Sequence, residues 1–214
     1  MKKIIAGLSR FQEEVFPEHE ELFSKLALDQ RPEALLITCS DSRIDPTLLT
    51  QTKPGDLFIL RNAGNIVPAF GQALGGVTAT IEYAVMALGV TDIIVCGHSN
   101  CGAMKGVLHP EQVVRMKNVA AWLHYGEPAR LVVEQKYGHL SEEKKMMALT
   151  EQNVLAQLNN LRTHPAVAVG LAKGDLKLHG WVYEIGTGEV AAFDPSGGCF
   201  TSLRQVRAEA AMLS

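Results

Sequence analysis

Three short runs, Ala34-Leu35-Leu36-Ile37-Thr38, Asp56-Leu57-Phe58-Ile59-Leu60 and Asp92-Ile93-Ile94-Val95-Cys96, constrain this chain more than anything else in it. Each is nearly continuous in apolar side chains and too short for a buried helix. None shows the alternation of a strand with one wet face, so each reads as a parallel strand buried on both sides. A helix is expected from about Val77 to Leu88, ahead of the third run. Strands separated by helices imply a parallel sheet covered on both faces. Further on, Lys177 to Ile185 alternates like a strand, Gly186-Thr187-Gly188 is a turn, and Glu189 to Phe193 returns as a second strand. The expected fold class is α/β: a mostly parallel central sheet of about four parallel strands plus an antiparallel edge strand, flanked by helices.

The segment before the first run carries apolar residues at helical intervals (Ile4, Leu8, Phe11, Val15, Leu22, Phe23, Leu26) and is interrupted at Pro17, which predicts an N-terminal helical arm in two pieces. The stretch from about Val113 to Leu161 reads as helical, with Ser141 as an N-cap followed by acidic first-turn residues, and Thr163-His164-Pro165 ends it. With 214 residues and 47% hydrophobic side chains, the chain can bury one substantial core. The expected organisation is a single domain: an arm over 1–30, an α/β core over 31–195 and a tail over 196–214.

A net charge of −3 without blocks of like charge argues against nucleic acid or an anionic membrane as partner. No apolar run reaches the roughly 18–20 residues of a membrane span, and the start of the chain leads into a charged helix instead of a signal-peptide cleavage site. A cytoplasmic location is expected. Four cysteines, Cys39, Cys96, Cys101 and Cys199, are too few and too unevenly spaced for the disulfide framework of a small secreted domain, which leaves metal binding or catalysis.

Ligands of open α/β sheets sit beyond the carboxyl ends of strands, and two such ends are rich in metal-binding residue types. They are Cys39-Ser40-Asp41-Ser42-Arg43 after the first strand and Gly97-His98-Ser99-Asn100-Cys101-Gly102 after the third. In an extended segment Cys39, Asp41 and Arg43 project to one side. His98 and Cys101, three apart, share a face if the chain enters a helix there. Cys39, His98 and Cys101 form a donor set suited to zinc, with a fourth tetrahedral position left for water, as in catalytic sites. Asp41 beside Arg43 is expected to stay ionised and to orient rather than to act as a strong base.

Cys39-x-Asp41-x-Arg43 and His98-x-x-Cys101-Gly102, with Arg61-Asn62-Ala63-Gly64-Asn65 and Glu82-Tyr83-Ala84 between them, resemble the signatures of the β-class carbonic anhydrases, in particular the plant-like branch. The resemblance runs from about residue 3 to 195. It implies one zinc ion per subunit, reversible hydration of carbon dioxide to bicarbonate by zinc-bound hydroxide, and a homodimer that can assemble further. It also implies roles. Asp41 would accept the hydrogen of the hydroxide, with Arg43 holding Asp41, and in a closed state Asp41 would instead occupy the fourth zinc position. Gln30, Phe58 and Tyr83 match pocket residues that come from the partner subunit, and Ala63 and Gly102 match the pocket wall. Leu36 stands where the branch with an inhibitory bicarbonate site has tryptophan, although Arg61 is present, so an open site is expected. Two thiolate ligands make the ion a weaker Lewis acid than three imidazoles would, which predicts activity rising toward alkaline pH.

Two other readings stand beside this one: hydrolysis of carbon disulfide or carbonyl sulfide by the same centre, and a non-catalytic zinc scaffold. Some photosynthetic relatives carry a long C-terminal extension for docking into a carboxysome. This chain stops at Ser214, so carboxysomal docking, while open, gains no support from an extension. Cys96 reads as a buried core thiol, Cys199 as a free one, and Gly71 to Gly76 as a loop leading into a helix.

Overall fold

A computed structural model of the chain describes residues 1–73 and 75–204. The chain forms two units, Met1–Arg31 and a second from Pro32 onward. The first unit contains α1 (Lys2–Arg10), a widened π-turn over Phe11–Val15, α2 (Phe16–Glu18) and α3 (Glu20–Leu26). The expected interruption at Pro17 takes a different form. Pro17 sits in the first turn of α2, where its missing N–H costs least. The π-turn just before it absorbs the lost bond, and the break in helical backbone falls at His19 (φ −118°, ψ 11°). Phe11, Phe16 and Phe23 pack together with ring centroids 5.5–6.1 Å apart, while Ile4, Ile5 and Leu8 stay exposed.

In the second unit the chain runs through β1 (Ala34–Cys39), α4 (Pro46–Thr50), β2 (Leu57–Asn62), α5 (Gly76–Met86), β3 (Asp92–His98), α6 (Gly102–Leu108), α7 (Lys117–Leu123), α8 (Glu127–Tyr137), α9 (Glu142–Arg162), α10 (Pro165–Lys173), β4 (Lys177–Glu184), β5 (Glu189–Asp194) and β6 (Cys199–Ser202). The six strands make one sheet in the order β2-β1-β3-β4-β5-β6. The first four are parallel, and β5 and β6 are antiparallel. The three apolar runs are parallel strands as expected, but burial on both sides holds only for β1 and β3: β2 is the edge of the sheet, none of its residues is buried and Ile59 is exposed. The hairpin at Gly186 to Gly188 adds the antiparallel side. β6 was not anticipated: four residues with Cys199 and Ser202 exposed or half-buried carry little apolar signal.

Alternate residues of β1 and β3 go to opposite faces, as the pleat requires. Leu35, Ile37, Ile93 and Val95 enter the main core with Ile81 and Ala84 of α5, Val154, Leu158 and Leu161 of α9, and Val167 of α10. Ala34, Leu36, Ile94 and Cys96 form a smaller cluster on the other face with Leu49 and Trp181. A third cluster joins Cys39 and Cys101 to Met104, Val107, Leu123, Val133 and Leu149.

The expected single helical stretch from Val113 to Leu161 is three helices. Pro128 can only sit in a first turn, so α8 starts afresh after a tight turn at His124–Gly126. Ser141 is the N-cap of α9 with extended backbone, but its hydroxyl makes no capping bond; Glu142 and Glu143 supply the favourable charge at that end. Among the described residues, no helix is long and apolar enough to cross a membrane.

Candidate metal centre

Connectivity puts the site where it is. After β1 the chain crosses to β2 on one side and then returns to β3 on the other, so the carboxyl ends of β1 and β3 flank the point where strand order reverses. Cys39 is the last residue of β1 and His98 the last of β3. Cys101 follows after a turn in which Asn100 adopts the left-handed region (φ 53°), a conformation asparagine tolerates better than most. The sequence suggested that His98 and Cys101 share a helical face. The structure brings them together otherwise: His98 ends a strand, Cys101 is the cap residue before α6, and the Asn100 reversal closes the gap.

The side-chain donors of Cys39, His98 and Cys101 lie within 4.8 Å of one another, and all three residues are buried. The sulfurs stand 3.9 Å apart; two thiolates each about 2.3 Å from a tetrahedral zinc ion would stand about 3.8 Å apart. His98 Nδ1 lies 2.8 Å from the Ser99 carbonyl. A carbonyl can only accept, so Nδ1 carries the proton and the Nε2 lone pair faces the cysteines. That Nε2 is buried with no partner, a costly arrangement for an imidazole unless a cation completes it. Ser99 is itself fixed: its hydroxyl donates to Glu184 (2.7 Å) and accepts from the Ile185 amide (3.0 Å). The residues present fit zinc.

The thiol pair points the same way. The Cys39 thiol is lowered, first because the Cys101 thiol donates to it, with help from the Gly64 and Asp41 amides against the opposing effect of burial. Cys101 is held up by the charge and hydrogen bond of Cys39 and by burial. One sulfur thus ionises readily, and the second needs a positive charge between them.

Asp41 lies at the mouth, its Oδ2 3.9 Å from His98 Nε2. Arg43 grips it by a two-pronged contact, Nε to Oδ1 at 2.9 Å and Nη2 to Oδ2 at 2.7 Å, and the Arg43 amide adds a third bond. These hydrogen bonds, Arg43's side chain first, hold the Asp41 carboxyl well below the usual carboxylate range. Arg43 Nη2 also donates to the Asn100 carbonyl at 3.1 Å, tying the two loops together.

Ala63 and Gly102 flank the ligands. Gly64, next to Ala63, donates its amide to Cys39 Sγ at 3.4 Å. Gly64 has φ +82°, and a Cβ there would come within 3.0 Å of Ala103 and Met104, so this position demands glycine. A Cβ on Gly102 would meet open space. Phe58 and Tyr83 lie against each other, centroids 6.0 Å apart, away from this chain's own ligands. Phe58 pairs with Leu35 whereas Cys39 pairs with Asn62, four residues further along, about 13 Å at strand rise. Gln30 belongs to the first unit, where its amide bonds Asp29.

Sequence reasoning missed the parts played by three residues. Arg61 was noted as part of a resembling segment and in connection with an inhibitory site, without a structural role; in the structure it donates to the carbonyls of Cys39 (3.0 Å) and Asp41 (2.8 Å), holding the ligand loop by its backbone. Asn153 and Gln157 were passed over, although two amides four apart on an otherwise apolar helix face were a visible signal. Cys96 is a buried thiol pushed up to about 12 by burial, and Cys199 is exposed.

A switch-point α/β sheet carrying two cysteines and one histidine around a common centre, with no fourth donor in that cluster among the described residues, is the arrangement of a metalloprotein whose donor set is of the catalytic zinc type. The comparisons make this particular. The family model described as Carbonic anhydrase matches residues 34–190. A carbonic anhydrase of Pseudomonas aeruginosa is 51% identical over 205 residues, covering 96% of this chain and 93% of its own. One from Synechocystis is 48% identical, covering 91% and 71%. The solved structure of the β-carbonic anhydrase CcaA superposes with a TM-score of 0.93 at 47% identity, covering 94% and 91%. The chain belongs to the carbonic anhydrase family, and its fold is that of the β class.

Proposed function

We propose that this chain catalyses the reversible hydration of carbon dioxide to bicarbonate and a proton, with Cys39, His98 and Cys101 holding one zinc ion per subunit. The observation that carries the reading is the buried, unpartnered His98 Nε2 facing two sulfurs 3.9 Å apart. When bound, zinc acidifies a water molecule so that a nucleophile is available near neutral pH. The remaining work falls to the protein. Asp41, ionised and acceptor-only, takes a hydrogen bond from the nucleophile and turns a lone pair toward the substrate carbon. Arg43 keeps the carboxylate out of the ligand position, and its intact two-pronged grip supports an open resting state.

Carbon dioxide has no strong hydrogen-bonding group, so its pocket needs apolar walls and few polar atoms. Ala63 and Gly102 supply part of the wall from this chain. Phe58, Tyr83 and Gln30 serve the site of a second copy, a reading supported by the distance of Phe58 from Cys39 within one chain. The helical segment over 1–30 forms the dimerisation arm, since Ile4, Ile5 and Leu8 are 57–62% exposed in α1, which buries none of its residues.

Stopped-flow hydration assays before and after chelation, with zinc measured on the same sample, test the reading. One zinc per chain and activity lost and restored with it are expected. Zinc bound without hydration would favour a scaffold role, and faster turnover of carbon disulfide or carbonyl sulfide would reassign the substrate.

A further inference from the structure

One face of α9 carries Asn153, Gln157 and Asn160 among Val154, Leu158 and Leu161. Asn153 and Gln157 are 1% and 0% exposed, and a buried amide is costly unless every polar atom is used. Here they form a relay. Asn160 Nδ2 donates to the Val67 carbonyl (2.8 Å), Gln157 Oε1 accepts from the Val67 amide (2.9 Å), and Gln157 Nε2 donates to Asn153 Oδ1 (2.8 Å). Asn153 Nδ2 then donates to the Gly64 carbonyl at 3.0 Å. Gly64 is the residue whose own amide points at Cys39 Sγ.

The far end of this loop is anchored separately. Thr163 Oγ1 accepts from the Phe70 amide, and His164 Nε2 donates to the Pro68 carbonyl. The Asn153–Gln157 end is therefore not needed merely to keep the loop on the helix. It holds the Gly64 carbonyl, in the peptide that follows the one carrying the Gly64 amide, and so restrains the Gly64 backbone from which that amide reaches the sulfur.

We propose that Asn153, oriented by Gln157, is a positioning residue of the metal centre, setting through Gly64 the hydrogen bond that Cys39 receives. This rests on Cys39 being a metal ligand. An N–H donor withdraws electron density from a ligating sulfur, and the fixed loop holds that sulfur in place; outer partners of this kind typically contribute about 10–100-fold in metal affinity.

The test uses Asn153→Leu and Gln157→Met, near-isosteric changes that remove the relay, with Leu161→Ala as a core variant on the same helix that touches none of it. Each full-length protein is loaded with cobalt(II) for absorption spectroscopy, titrated with zinc against a chelator, and thermally unfolded. In Asn153→Leu and Gln157→Met the thiolate-to-cobalt charge-transfer bands should move to lower energy and zinc affinity should fall about 10–100-fold. Leu161→Ala should lose stability and keep both at wild-type values. If Asn153→Leu does not fold, Gln157→Met carries the comparison. Relay variants that lose stability but retain the wild-type spectrum and affinity overturn the proposal. A wild-type protein without any thiolate-to-cobalt band would instead refute the metal centre itself.

Discussion

Asp41 is the side chain whose position and charge state matter most at the mouth of the centre. Three bonds from Arg43 lower its carboxyl below the usual range. A carboxyl lowered on folding contributes stability that is complete above its unfolded value and is lost as pH falls through the folded one. Asp41 is therefore ionised at neutral pH, and on the proposed mechanism a loss of rate there is expected to come from the nucleophile. Asp41→Asn should cost about 100-fold or more in hydration rate while zinc stoichiometry holds at one, because orientation goes and the ligands stay. Equal activity in the variant would remove Asp41 from the mechanism. Arg43→Gln should let the Asp41 carboxyl titrate closer to its ordinary range, read as a higher midpoint pH in the titration of its carboxyl carbon followed by NMR on the zinc-free protein. An unmoved titration would mean that Arg43 does not control it.

At the scale of elements, α9 does more than cover the sheet. It packs so closely on β3 that a Cβ at Gly97 would lie 3.0 Å from Thr150 Cγ2 and Val154 Cγ2, immediately before His98. Gly97→Ala should therefore destabilise by about 1–3 kcal/mol through overpacking, seen as a melting temperature several degrees lower. A melting point unchanged from wild type would show that the helix can retreat freely. Glu151 on the same helix has its carboxyl raised by burial. Its charged form opposes folding above the folded value, and the penalty disappears as pH drops below the unfolded one. Glu151→Gln should raise the melting temperature at pH 7 by about 1–2 °C, with the gain vanishing in mildly acidic buffer; a gain equal at both pH values would point to packing instead.

For the whole molecule, the decisive quantity is the number of copies that make a complete site. Phe58 and Tyr83 lie together at the far end of β2 from Asn62, the partner of Cys39 in the sheet, so a solitary chain lacks part of its pocket if these residues serve it. If α1 mediates the proposed dimer, Leu8→Glu, which places a charge in its exposed apolar stripe, should shift sedimentation from dimer toward monomer and reduce hydration activity with falling protein concentration. Activity per chain that is independent of concentration in a variant shown to be monomeric would place the pocket within one subunit.

Much of this was legible in the amino-acid sequence because local physics writes it there. Buried parallel strands must be apolar throughout, which marked β1 and β3, while β2 shared their pattern although it lies at the sheet's edge; a zinc centre needs soft donors at strand ends, which marked Cys39, His98 and Cys101. What the sequence could not reveal depends on partners distant along the chain. The π-turn before Pro17, the division of 113–161 into separate helices and the addition of β6 are settled by packing and by which backbone groups find bonds. The role of Arg61, which binds carbonyls, leaves no trace in spacing, and the pairing of Asn153 with Gln157 along α9 could be read without its target, since Asn153 reaches Gly64 across 89 residues. Side-chain chemistry is a property of each residue, whereas a hydrogen bond to a remote backbone exists only once the fold has brought the two together.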